Sequence, residues 1–206
     1  MFENGHTGMI LSLNHQSAEI LVLSNVTIKI GMKVTRTNTK QEMPVGMEFL
    51  GLTIDPFGNP LDKLSLVKKP QESRPIQIIP PGIDKRKRIE KQLETGISMV
   101  DLLVPLGKGQ RELIIGDRKT GKTSFLLQTI LNQARSGTIC IYAAIGKKKM
   151  DIKKSEQFFI KKGIQKNIII IASGPEDPAG IIYLTPYCAM TLAEYFRDNG
   201  CEVSVR

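Results

Sequence analysis

The chain contains no tryptophan, two histidines and three cysteines, and aromatic residues make up 5% of its 206 residues. Each scarcity removes a class of protein. Two histidines and the widely spaced Cys140, Cys188 and Cys201 fit neither a zinc knuckle nor a disulfide framework. So few cysteines suit an intracellular, reducing compartment. Scarce aromatics argue against a stacking platform for single-stranded nucleic acid. Apolar runs such as Ile168 to Ala172 fall far short of the ~20 residues that span a bilayer. The opening MFENGHTGMI has no basic segment followed by an apolar one and does not read as a signal peptide.

Positive charge is what the sequence has in excess: 29 Lys and Arg against 20 Asp and Glu, a formal +9. It is unevenly placed. Residues 1–80 carry 8 basic and 7 acidic side chains, whereas residues 81–206 carry 21 and 13. Lys147 to Lys166 alone holds eight lysines against Asp151 and Glu156. Such a stretch can bind a polyanion. With no aromatic residues interleaved for base stacking, it reads as a solvated helix face.

Along the chain, Gly8 to Leu13 and Ala18 to Leu23 read as a hairpin around the turn cluster Asn14 to Ser17. Met32 to Thr37 and Val45 to Thr53 are further strand candidates. Three short strands cannot close a barrel, so the first forty residues suggest part of a small β domain. Four prolines between Lys68 and Gly82 predict an extended connector, and Asp84 to Gln92 is charged and exposed. From Glu94 onward strands alternate with helices. The pattern predicts a helix at Ile97 to Leu103, a strand at Arg111 to Ile115 and a helix at Lys122 to Arg135 with Leu127, Ile130, Leu131 and Ala134 on one face. A strand at Thr138 to Ala144, a basic helix at Asp151 to Lys162 and a strand at Asn167 to Ala172 follow. A final helix from Pro178 to Asp198 is expected to be interrupted at Pro186. This alternation predicts parallel β-α-β units and an α/β fold.

The segment with chemistry is Gly116-Asp117-Arg118-Lys119-Thr120-Gly121-Lys122-Thr123-Ser124, which matches the phosphate-loop pattern G-x-x-x-x-G-K-[ST]. The expected strand before it and amphipathic helix after it supply the context that the motif needs. Glycines let backbone approach phosphate oxygens without a β-carbon in the way. Loop amides and a helix N-terminus then face the anion. In this reading Lys122 sits between the β- and γ-phosphates of ATP, and Thr123 offers its hydroxyl to Mg²⁺.

In these residues and the segments around them, the chain resembles the alpha subunits of F-type ATP synthases. The likeness runs from about Gly8 to Gly200. Val45-Gly46, Leu50-Gly51 and Gly58-Asn59-Pro60-Leu61-Asp62 follow the family pattern, as do Pro81-Gly82-Ile83 and Gln92 to Ile97. Asp101 through Arg118 is similar almost residue for residue, and Cys140 to Gly146, Cys188-Ala-Met and Glu194 to Gly200 complete it. The resemblance implies a RecA-like P-loop domain over residues 43–206, preceded by part of a β-barrel over residues 1–42. It implies ATP and Mg²⁺ at Gly116 to Ser124 without turnover. It also implies a place in an alternating alpha/beta hexamer with the beta, gamma and delta subunits, peripheral on the cytoplasmic face of a membrane. Contact with the membrane would be through the complex only, with no direct nucleic-acid partner. The function of that complex is ATP synthesis coupled to proton transport.

Three departures stand out. The alpha pattern has glutamine at Lys119. After Gly146, catalytic beta subunits carry a water-orienting glutamate and alpha subunits a glutamine, whereas this chain has Lys147, which cannot act as a carboxylate base. The family also continues after the segment matching Asn199-Gly200 with a strand ending in an aspartate pair that helps hold Mg²⁺. The sequence is therefore expected to be an internal fragment, a frame-shifted copy or an artificially bounded chain. Its sheet of three or four strands is expected to expose an apolar edge, and the chain to be poorly stable alone. Two other readings stay open on the residues: an RNA-dependent ATPase like the terminator Rho, which shares Gly107 to Arg111, and an inert copy that binds no nucleotide.

Overall fold

The computed structural model describes residues 1–62 and 70–206. The first strands, β1 (Gly8–Leu13) and β2 (Ala18–Val22), form the expected antiparallel hairpin, closed by the Asn14 amide donating to the Ser17 carbonyl at 2.8 Å. Met32 to Thr37 forms no strand; it contributes a single bridge, Val34 to Phe2. Val45 to Thr53 is not one strand either. Strand β3 (Glu42–Val45) ends there, a 3-10 turn at Met47–Phe49 follows, and β4 (Thr53–Ile54) begins anew. The turn tucks Phe49 into the core at 1% exposure, and that burial outweighs a continued ladder.

The proline-rich connector also holds a strand, β5 (Glu72–Pro75), antiparallel to β3. Prolines 44 and 75 are tolerated because, among the described residues, this sheet has two strands, each with one unpaired edge. Residues 68 and 69 of that connector lie outside the described residues. Asp84 to Gln92 is exposed, as expected.

The second half is the α/β unit. After β6 (Gln92–Leu93), α1 (Ser98–Leu103) and β7 (Leu106–Gly107) come α2 (Lys122–Arg135), β8 (Ile139–Ala144), α3 (Lys149–Lys161), β9 (Ile168–Ala172), α4 (Ala179–Asp198) and β10 (Val203–Val205). The central sheet has the order β10-β8-β9-β4, with every neighbouring pair parallel. Residue period two divides β9 cleanly. Ile168 and Ile170 face α2 and α3, packing with Ile130, Leu131, Tyr142 and Phe159, while Ile169 and Ile171 face α4, packing with Leu184, Leu192 and Phe196. Burial on both faces is why this strand is apolar throughout, four isoleucines and Ala172, rather than alternating. Each such side chain contributes roughly 1.5–3 kcal/mol.

Helix α4 runs unbroken through Pro186. An internal proline costs about 3 kcal/mol. The buried Leu184, Cys188, Ala189, Leu192 and Phe196 together outweigh that cost. The architecture is thus an α/β, RecA-like P-loop sheet domain preceded by small antiparallel sheets.

Candidate functional site

The approach to the phosphate loop is held by one carboxylate. Asp101, inside α1, reaches back to accept hydrogen bonds from the Thr95 amide (2.8 Å), the Thr95 hydroxyl (2.7 Å) and the Gly96 amide (3.0 Å). Partial burial opposes ionisation, but these bonds prevail and hold the carboxyl below its ordinary range. From α2, the side-chain amides of Asn132 and Gln133 donate to the Glu94 carbonyl at 2.9 and 2.7 Å. Beyond β7, the Lys108 ammonium pairs with Glu202, beside β10, at 2.7 Å. Sequence reasoning missed Asp101 and Gln133. A search for caps looks just before a helix, and Asp101 lies within one. The pair Thr95-Gly96 ahead of a helical aspartate was the available signal.

The expected strand at Arg111 to Ile115 does not form. Residues 111–120 are exposed, with Leu113 at 80% and Ile115 at 82%. A strand needs a neighbour for its amides and carbonyls. The edge it would join, β10, is three residues long, and the outward carbonyl of Val205 already accepts from the Arg206 guanidinium at 3.0 Å. The segment is moored to that edge by Lys108 and goes no further.

The loop itself is built. Lys122 Nζ donates to the Gly116 carbonyl at 2.6 Å and also to that of Asp117, while the Thr120 hydroxyl donates to the Asp117 carbonyl at 2.8 Å. A β-carbon at position 116 would stand 2.9 Å from the Thr120 hydroxyl oxygen, so a larger residue there would displace that hydroxyl. Gly121, at φ +93°, turns the chain into α2, whose first helical bond runs from the Phe125 amide to the Gly121 carbonyl at 2.9 Å. The amides of Lys122, Thr123 and Ser124 therefore have no carbonyl partner within the helix. Lys119, Thr120, Gly121, Lys122, Thr123 and Ser124 line one open cleft of about 230 Å³. Gly116 and Asp117 stay behind it as acceptors for Lys122. Arg118 is exposed and does not line the cleft.

For a divalent cation the fit is partial. The exposed Thr123 hydroxyl has no hydrogen-bond partner among the described residues and is free to ligate. Among those residues, no cluster of three His, Cys, Asp or Glu is placed to hold a metal. Just past the carboxyl end of β8, Lys147 is exposed, and among the described residues it is bonded only through its amide, to the Ser173 carbonyl at 3.0 Å. The Ser173 hydroxyl accepts from the Gly146 amide (3.3 Å) and the Thr185 hydroxyl (2.9 Å), joining β8, β9 and α4. No helix of the described residues is long and apolar enough to cross a membrane.

Known proteins give this geometry a lineage. The ATP synthase alpha/beta family, nucleotide-binding domain, matches residues 96–206. The chain is 40% identical over 205 residues to ATP synthase subunit alpha of Lacticaseibacillus casei, covering 99% of this chain and 40% of the relative. The same subunit of Lactobacillus johnsonii is also 40% identical, with 99% of this chain and 41% of the relative covered. For Pediococcus pentosaceus the figures are 40% identity, 99% and 40%. The chain thus spans about two fifths of the length of these relatives. A domain match over more than half of the chain, together with a parallel sheet covered by helices and the phosphate-loop pattern leading into α2, leads to one conclusion: the chain belongs to the ATP synthase alpha/beta family.

Proposed function

We propose that this chain is the nucleotide-binding portion of a non-catalytic alpha subunit of a rotary, proton-translocating ATP synthase. In this reading residues 1–42 are part of the β-barrel and residues 43–206 the P-loop domain. Gly116 to Ser124 hold ATP. The observation that carries it is the loop: an ammonium held by the Gly116 and Asp117 carbonyls, and three amides at the start of α2 with no carbonyl partner within the helix, on residues that line one cleft. A polyphosphate entering that cleft accepts hydrogen bonds from these amides, and Lys122 exchanges carbonyl partners for phosphate oxygens, a stronger charge-assisted contact. Thr123 is the residue that would hold Mg²⁺, which neutralises phosphate charge when bound. Lys147 stands after Gly146, and its ammonium cannot take a proton from an attacking water. Nucleotide would therefore be held and not hydrolysed.

The partners follow from the same reading: beta subunits in an alternating hexamer, with gamma and delta, and a peripheral position on the cytoplasmic face of a membrane through the complex. The complex makes ATP at the expense of proton flow; this chain shapes the ring. Equilibrium titration of the full chain with ATP and excess magnesium tests the core of the proposal. Lys122→Ala should weaken binding by about 10-fold or more. Equal affinity in the two proteins would refute it, and so would steady phosphate release by the wild-type chain above buffer background.

A further inference from the structure

Lys119 is placed where a lysine has several reasons not to be. Its φ is +64°, and among the described residues only Asn38 is another non-glycine on the left-handed side. Backbone of that hand suits glycine or asparagine and is strained for a residue with a long side chain. Lys119 lines the same cleft as Thr120 to Ser124, at the N-terminal end of α2, where the helix dipole already places positive charge. Lys122 lines that cleft as well, and no acidic residue does. Among the described residues no Asp or Glu forms an ion pair with Lys119. Backbone strain and the helix dipole both oppose a lysine at this position. A polyanion in the cleft reverses the electrostatic term.

We infer that Lys119 is a second phosphate-contacting cation, which tunes this loop toward a nucleoside triphosphate without its divalent cation. The inference rests on the nucleotide reading above and goes beyond it. A metal-free triphosphate carries more negative charge than its magnesium complex, so an added ammonium gains more from the former. Lys122 and the helix amides serve both forms; Lys119 discriminates between them.

The test is equilibrium binding of ATP to the full chain, once with excess EDTA and once with excess magnesium, at one ionic strength. Lys119→Gln keeps the β-carbon and its backbone strain and removes only the charge. It should weaken metal-free ATP by about 10-fold, the size of one charge-assisted hydrogen bond, and the magnesium complex by clearly less. Lys119→Arg should retain the wild-type preference. Lys119→Gly relaxes the backbone, so it should melt no lower than wild type and still lose affinity for metal-free ATP. Unchanged affinities in Lys119→Gln, or an equal loss for both forms, would overturn the inference while leaving the nucleotide reading intact. Failure of the wild type to bind either form, or indifference to Lys122→Ala, would overturn both.

Discussion

At the scale of single residues, charge and burial divide the side chains that act from those that are merely present. Asp101 is the clearest case. Asp101→Ala removes three hydrogen bonds to the carboxylate and frees the turn at Thr95-Gly96. Because the group is partly solvated, the loss should lie near the low end of the range for charged hydrogen bonds, roughly 1–2 kcal/mol, read as a lower urea midpoint. Its carboxyl is held below the ordinary range, so its stabilisation is fully present above the free value of about 3.9 and is lost as pH falls through the lower folded value. Removing the carboxylate should therefore matter at pH 7 and cease to matter in strong acid. The cysteines give a second prediction. Burial pushes the Cys140 and Cys188 thiols up to about 12, whereas Cys201 is only partly covered. A chromogenic disulfide reagent at pH 8 should titrate Cys201 in the native chain and all three thiols in denaturant. Fast native reaction of all three would contradict the packing of β8 and α4.

At the scale of elements, the helices that cover the sheet are held by a few large side chains. Phe159 of α3 is 1% exposed, with ring centroids 6.3 Å from Tyr142 and 5.7 Å from Phe158. Phe159→Ala should cost about 3–5 kcal/mol, enough to lower the thermal midpoint steeply or prevent folding. A loss below about 1 kcal/mol would mean that α3 is not docked as described. Much of this layer was legible in the sequence. Helix α2 occupies the residues its 3.6-residue pattern marks, and β8 and β9 lie within a residue of their apolar runs. The phosphate-loop pattern is local and glycine-dependent, so the sequence could propose it without the fold. Pairing was not legible. Arg111 to Ile115 has strand composition and no strand partner, while Glu72–Pro75 has a connector's composition and pairs with β3. In both cases a residue far off in the chain decides. Pro186 misled for a related reason: its local cost is real, and only the packed face of α4 shows that it is outweighed.

At the scale of the whole molecule, two apolar segments ahead of the loop lack cover. Met99, Leu102, Leu103 and Val104 on and just after α1, and Leu113 and Ile115 before the loop, are each at least 67% exposed. Large apolar patches of this kind drive association in water. The full chain should associate with rising concentration in sedimentation experiments and bind an apolar dye. Leu113→Lys combined with Ile115→Lys should reduce both and shift stability by no more than about 0.5 kcal/mol, since neither side chain packs in the core. A monomer at all concentrations with no dye binding would show that these segments are covered in solution. The lysine-rich stretch, in contrast, behaves as expected: its eight lysines, on and around α3, are all exposed.

Local chemistry was enough to specify the helices, the buried strands and the phosphate loop, because periodicity, glycine placement and the lysine-threonine pair act within a dozen residues. The sheet order, the break at Phe49 and the pairing of β3 with β5 were decided by the tertiary structure. Each depends on hydrogen bonds, burial or charge contributed by residues that the chain brings together only when it folds.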